Sequence, residues 1–322
     1  MILATCQHEH KKRNGVTSTG EIRWRCKDCG KSWTDKTEMF GGMTIGLDKA
    51  AQVIELLCEG SSVMATSRVT GVAKGTILGL LLYVGPKCDE YMQANIKNVF
   101  ADDIQVDEIW QFVLCKNATA KRENMVGGCG DSYTFTAVER TSKLLVAWHM
   151  GRRTQPHCEQ FIRKLDNAVF GHFHISSDGW KSYPATIKKH LGNRVDHGVM
   201  TKVYGRPINY PHSAYSPAKI IGAYRTPMHG DPYQQDRIVT SHVERHNGTI
   251  RLFCKRMNRL TYAFSKRWEN HRAALALFFC HYNYCRKHRT LKGHTPAMAH
   301  GLTTEVWSVR RMLQIVLAKS PN

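Results

Sequence analysis

The stretch Val243-Glu-Arg-His-Asn-Gly-Thr-Ile-Arg251 constrains this chain more than any other. Wound as a helix, it sets Glu244, Asn247, Gly248 and Arg251 on one face, at spacings of three, four and seven. That face carries a carboxylate, an amide, a guanidinium and a gap where Gly248 has no side chain. It suits a metal ion and a phosphate backbone. A lone carboxylate needs partners to hold a hard cation, and two lie upstream. Asp107 falls within the strand-like run Ile104-Gln-Val-Asp-Glu-Ile-Trp-Gln-Phe-Val113, and Asp178 follows the short run His174-Ile-Ser-Ser. The fold must bring two strand ends and one helix face to a point.

Periodicity from residue 104 onward supplies such a fold. Ile104–Leu114 reads as a strand. Tyr133–Val138 and Leu144–Met150 read as two more, with Arg140–Lys143 turning between them. Thr154–Val169 reads as a helix, Phe173–Ser176 as a fourth strand, Tyr183–Leu191 as a helix, and Val195–Tyr204 as holding a fifth strand. The Pro-, Tyr-, Gly- and His-rich stretch 205–238 reads as an insertion, a loop packed near the site. Residues 244–285 read as largely helical, Thr295-Pro296 as a helix start, and Val306–Val316 as a last amphipathic stretch. The class is α/β, a mixed sheet with helices, in the element order of an RNase H-like fold.

Ahead of this core, Cys26-Lys-Asp-Cys29-Gly30 has the spacing at which two thiolates reach one tetrahedral ion, and Gly30 permits the tight turn. Cys6 is the third expected zinc ligand. The fourth is an imidazole, His10 ahead of His8, because Glu9 stands where a third knuckle residue would be cysteine. Two buried structural cysteines without metal are the plain alternative. Leu47, Ala50, Val53, Ile54 and Leu57 then keep a helical period. Ser62–Leu78 spaces a short helix, a turn at Gly71 and a second helix with Ile77 inward. That is a helix-turn-helix pattern, with Lys74 and Thr76 facing a major groove, although any small helical hairpin gives it. From Gly85-Pro86 to 103 the chain reads as a linker with some helix. The domains are a zinc-binding ribbon (1–42), a helix-turn-helix module and linker (43–100), the catalytic core (101–290) and a helical tail (291–322).

Charge points the same way. Lys and Arg number 46 and Asp and Glu 26, so 46 − 26 gives +20, which favours a polyanionic partner, most often nucleic acid. The first residues lack the basic start and apolar run of a signal peptide. No stretch approaches the ~20 apolar residues of a membrane span. The expectation is a cytoplasmic, nucleoid-associated protein whose eleven scattered cysteines are reduced thiols plus a metal site.

With these residues in place, the chain resembles transposases of the insertion-sequence-one family over nearly its full length. The likeness runs through the N-terminal knuckle, Ala65-Thr-Ser-Arg-Val-Thr-Gly-Val72, Val106-Asp-Glu-Ile-Trp110, Ser177-Asp-Gly-Trp180, Val243-Glu-Arg-His-Asn247, Arg251 and Ala263-Phe-Ser-Lys266. Asp-Glu-x-Trp alone would mean little; the combination is specific. The resemblance implies strand cleavage and strand transfer of a mobile element, with Asp107, Asp178 and Glu244 as the metal-binding acids. Two Mg²⁺ (or Mn²⁺) ions about 4 Å apart would activate the nucleophile and stabilise the leaving oxygen, and one Zn²⁺ would be structural. The implied partners are terminal inverted repeats, target DNA and further copies of the chain in a synaptic complex. Two features depart from compact members: Glu9 replaces a zinc-ligand cysteine, and the Asp178–Glu244 gap is longer, making room for 205–238. The other functional reading is a sequence-specific DNA-binding regulator built on the zinc and helix-turn-helix modules, which would have no use for three carboxylates.

Around the acids, Arg251 either holds a phosphate or pairs within its helix. Lys255 and Arg256 belong to a basic run between 244 and 292 that reads as a DNA track or as a solvated face. His246 reads as packing and Trp110 as core, while Trp180 is either core or a stacking platform for a base. Glu108 should alternate to the strand face opposite Asp107. Asp102, Asp103 and Asp131 read as solvated loop acids, and Asp166 as facing water.

Overall fold

Three antiparallel strands order the first part of the chain: β1 (Lys11–Val16), β2 (Ile22–Cys26) and β3 (Ser32–Thr34), in spatial order β1-β2-β3. Trp24 lies opposite Trp33, and Lys11 opposite Cys26. Between β2 and β3 the chain turns through Gly30 at a φ of 72°, a conformation that costs a residue without Cβ nothing. The computed structural model describes residues 6, 8–17, 22–34, 40, 42–125, 127–205, 219–232, 234–259 and 261–318. The chain divides into two compact units, Met1–Thr44 and Ile45–Asn322.

The second unit opens with α1 (Leu47–Cys58), α2 (Val63–Thr70) and α3 (Lys74–Asn95). The period read along α1 holds, with Ala50, Val53 and Ile54 buried. Ser62 caps α2 by accepting the Ala65 N–H at 3.1 Å. Gly71 ends it in the left-handed region. α2 and α3 are bent 115° apart at this break, and Ile77 is fully buried.

There follow β4 (Val99–Phe100), β5 (Asp103–Val113), α4 (Asn117–Arg122), β6 (Gly130–Glu139), β7 (Leu145–Gly151) and α5 (Gln155–Ala168). Next come β8 (Val169–Phe170), β9 (Phe173–Ser177), α6 (Ser182–Leu191), β10 (Val195–Tyr204) and β11 (Ile220–His229). The chain closes with α7 (Ser241–Phe253), α8 (Trp268–Tyr284), α9 (Pro296–Ala299) and α10 (Val309–Leu317). Six strands form one mixed sheet in the order β11-β10-β9-β5-β6-β7. β5, β6 and β7 are an antiparallel meander. β9 lies parallel to β5, and β10 parallel to β9. Among the described residues, no single helix is long and apolar enough to cross a membrane.

Four expectations change. The stretch 205–238 is not all loop: Ile220–His229 pairs antiparallel with β10 as an edge strand, its β-branched and aromatic residues outweighing the local Pro and Gly. Residues 206–218 lie outside the described residues. Gly85-Pro86 sits inside α3 and opens no linker. Proline removes one helical N–H, but Gly85 lets α8 approach so closely that a Cβ there would lie 2.5 Å from the Ala273 carbonyl oxygen. Residues 45–100 and 291–322 belong to the same unit as the six-stranded sheet, because α3 and α10 bury their apolar faces against each other and α8. Trp307 stacks on Tyr284 of α8 at 4.4 Å. Last, Asp103 is buried, its carboxylate held by Arg140 at 3.0 Å, and Asp166 pairs with Arg194.

α8 is buried on nearly every side, as a helix with apolar residues all round must be. Its fully buried amide, Asn283, accepts the Leu145 N–H and donates to the Leu145 carbonyl, each at 3.0 Å.

Candidate catalytic and metal-binding sites

The register of two parallel strands places the acids. Gln105 of β5 lies beside Ser176 of β9, so Asp107 and Asp178, two residues on in each case, emerge at the same end. Carboxyl ends of parallel strands are where open α/β sheets gather their ligands. Consecutive strand residues face opposite sides. Asp107 meets α7, accepting from Asn247 Nδ2 at 2.8 Å. Glu108 meets α6, accepting from the Tyr183 hydroxyl at 2.9 Å.

The alternation therefore holds, but it does not take Glu108 out of the site. Oxygens of Asp107, Glu108 and Asp178 all lie within 4.8 Å of one another. Arg153, just past β7, pairs with Glu108 and stands 3.7 Å from Asp178 Oδ2. Its guanidinium lies over the Trp180 ring, 5.1 Å from the centroid. Burial, then the charges of Glu108 and Asp178, push Asp107 up to about 7. Burial, then Asp178, push Glu108 up to about 7, with Arg153 working against the rise. Crowded carboxylates resist ionising together without a cation among them. Hard oxygen donors at this spacing fit Mg²⁺ or Mn²⁺.

Glu244 is not gathered with them. It lies in the first turn of α7, its Oε1 held by Lys202 of β10 and by the Thr240 hydroxyl at 2.5 Å. Its charge still reaches Asp107, which it raises along with the nearer acids.

Two of the expected nucleic-acid contacts, Arg251 and Arg256, are committed inside the protein. Arg251 donates to the carbonyls of Met257 at 3.0 Å and Trp110 at 3.3 Å; it neither pairs within its helix nor points free to a phosphate. Arg256 donates to Ser265 Oγ and the Asn270 carbonyl, bracing the turn after α7. Lys255 and Lys74 are exposed, and Thr76 is half-buried. His246 is buried against Phe279 and Tyr282. Trp180 packs on Phe135 and Tyr183, and Trp110 lies under Lys116.

In the N-terminal unit, donor atoms of Cys6, His8, Cys26 and Cys29 lie within 4.8 Å of one another. The imidazole in this group is His8, 3.3 Å from Cys29 Sγ. His10 turns away, its Nδ1 3.1 Å from Asp28 Oδ2. His8 reaches the thiols through a left-handed φ of 59°, a backbone turn that residue counting does not reveal. The Cys26 thiol is lowered to about 6, first by the Cys29 backbone N–H and then by the His8 ring, which suits a thiolate ligand. Three sulfurs and one nitrogen are a donor set for zinc.

Arg153, Tyr183 and Lys202 escaped the sequence reading. The only trace of Arg153 was a pair of arginines directly after an apolar strand; the other two had none.

No protein-family profile matches the chain, and no curated relative does either. Among solved structures, it is similar to the piggyBac transposase synaptic complex with hairpin DNA, with a TM-score of 0.40 and 12% identity, covering 85% of this chain and 72% of that one. At that distance, function has to be argued from the chain's own residues.

Proposed function

We propose that the chain is a metal-dependent DNA strand transferase, a transposase of the insertion-sequence-one type with an RNase H-like core. The observation that carries this reading is the convergence of Asp107, Glu108 and Asp178 at the carboxyl ends of two parallel strands. The antiparallel meander followed by two parallel strands supports the core assignment. Asp107 and Asp178 hold the cations. Glu244 completes the set, because it lies one turn before Asn247, which already touches Asp107. Bound Mg²⁺ supplies Lewis acidity for phosphodiester cleavage and transfer. Asn247 orients the Asp107 carboxylate. Arg153 holds Glu108 and offsets the local negative charge. Cys6, His8, Cys26 and Cys29 hold a structural Zn²⁺. The N-terminal unit and the α2–α3 pair recognise terminal repeats, with Lys74 and Thr76 at the reading helix, and further copies join in the synaptic complex.

The test is cleavage and strand transfer on terminal-repeat DNA with Mg²⁺. Asp107→Asn, Asp178→Asn and Glu244→Gln should each lose activity by on the order of a thousandfold or more, since such groups act as a unit, while DNA binding persists. Glu108→Gln should keep activity, because the amide oxygen can still accept from Tyr183 and Arg153 retains Asp178 as its acidic partner. If Glu108→Gln is inactive and Glu244→Gln active, the third acid is Glu108. If unaltered protein binds repeats and never cuts them with Mg²⁺ or Mn²⁺, the DNA-binding regulator takes this reading's place.

A further inference from the structure

A cleft of about 730 Å³ opens where α2 and α3 face the segment that joins α7 to α8. Its floor is apolar, made by Leu57, Leu78, Leu81, Leu277 and Phe278, and its rim carries Lys74, Lys255, Lys266 and Arg267. Among the described residues, no carboxylate lines it. Arg267 is shared with Glu269 at 3.7 Å, and the three lysines have no acidic partner among the described residues.

The wall formed by 254–256 and 261–267 is braced from beneath. Arg256 ties Ser265 to Asn270, Ser265 Oγ meets His271 Nδ1 at 2.8 Å, and Gln111 Nε2 donates to the carbonyls of Arg256 and Asn258. The opposite side is equally close: a Cβ on Gly60 would lie 3.0 Å from the Leu252 carbonyl oxygen. On this rigid wall Tyr262 stands fully exposed beside the lysines. An aromatic ring held in solvent on a braced segment has no packing role.

We propose that this cleft binds an unpaired stretch of DNA, with phosphates at the lysine rim and bases against Tyr262 and the apolar floor. Backbone-tracking cations combined with an aromatic platform are the chemistry that single strands select. A duplex keeps its bases stacked inside and offers an apolar floor nothing to cover. The cleft starts at the end of α7, and Asn247 to Phe253 is about 9 Å of helix, so a strand opened at the acids lies within reach. The inference rests on the nucleic-acid reading of the chain, and not on its catalytic step.

The experiment is fluorescence anisotropy on the full zinc-loaded chain without added Mg²⁺, with labelled dT12, a labelled 12-base-pair duplex and labelled polyglutamate as probes. Tyr262→Ala, and separately Lys255→Glu with Lys266→Glu, change exposed side chains and should leave the thermal transition in place. Tyr262→Ala should weaken dT12 binding about tenfold, as the loss of one base stack predicts. The lysine reversals should weaken it about tenfold or more through lost phosphate contacts, and each should change duplex binding less. Undiminished dT12 binding in both variants would overturn the proposal. Polyglutamate binding that the variants lose while dT12 binding persists would assign the cleft to an acidic protein segment instead. Cleavage by the same variants reports separately on the function. Normal cleavage with undiminished dT12 binding ends the cleft proposal alone. An unaltered chain that binds neither dT12 nor duplex ends both.

Discussion

Asn247 Nδ2 donates to Asp107 Oδ2 at 2.8 Å, joining two residues 140 positions apart. The contact fixes one carboxylate of the acid cluster from the helix that also carries Glu244. Partners that orient metal ligands are typically worth 10–100-fold in metal affinity or activity. Asn247→Ala should raise the Mg²⁺ concentration for half-maximal cleavage by roughly 10–100-fold, and Asn247→Gln should restore part of it. A fall in rate with no change in Mg²⁺ requirement would show that Asn247 does not act through Asp107.

The N-terminal unit should hold about one zinc per chain, the stoichiometry of a single four-donor site. Cys26→Ser, Cys29→Ser and His8→Ala should lose the metal and unfold this unit. His10→Ala should keep it, because that ring is turned toward Asp28. Metal analysis of freshly purified protein decides the matter; zinc lost from His10→Ala and kept by His8→Ala would reverse the assignment.

Gly85 offers a test of packing in which the sign itself is informative. In an unhindered helix Gly→Ala stabilises by about 0.5–1 kcal/mol. Here the new Cβ meets backbone of α8, and overpacking costs about 1–3 kcal/mol. Gly85→Ala should lower the urea midpoint, and a raised midpoint would mean that α3 and α8 separate freely.

His271 sets a pH dependence. Burial first, then Arg256, pushes its pKa down to about 3, against about 6.5 when unfolded. The folded ring stays neutral while the unfolded one takes up a proton. This contribution to stability is full above pH 6.5 and is lost as pH falls toward 3, at about 1.4 kcal/mol per pH unit. Urea unfolding at pH 7, 6 and 5 should show the decline. His271→Gln should be less stable at pH 7 and should show a shallower decline. An unchanged slope would assign the acid sensitivity to other groups.

The sequence by itself determined the element order. Periods of two and 3.6 residues located β5, β6, β7, β9 and β10 and the helices α5 and α6, since those periods record which side of each element is apolar; the short α4, with no buried residue, left no such period. Spacing alone also put Cys26 and Cys29 on one turn and Ser62 and Gly71 at the ends of α2. What meets across the fold was decided by tertiary structure. Glu108 alternates away from Asp107 as its position requires, yet both lie at the sheet's end, where the two faces converge on Asp178. Lys202 reaches Glu244 only because β10 and α7 are brought together, and Arg153 reaches Glu108 only because β7 ends where it does. His8 displaces His10 through one left-handed residue. Local sequence encodes local period and turn chemistry. Contacts between residues 40 to 140 positions apart depend on register, packing and close backbone approach, which no window of neighbouring residues contains.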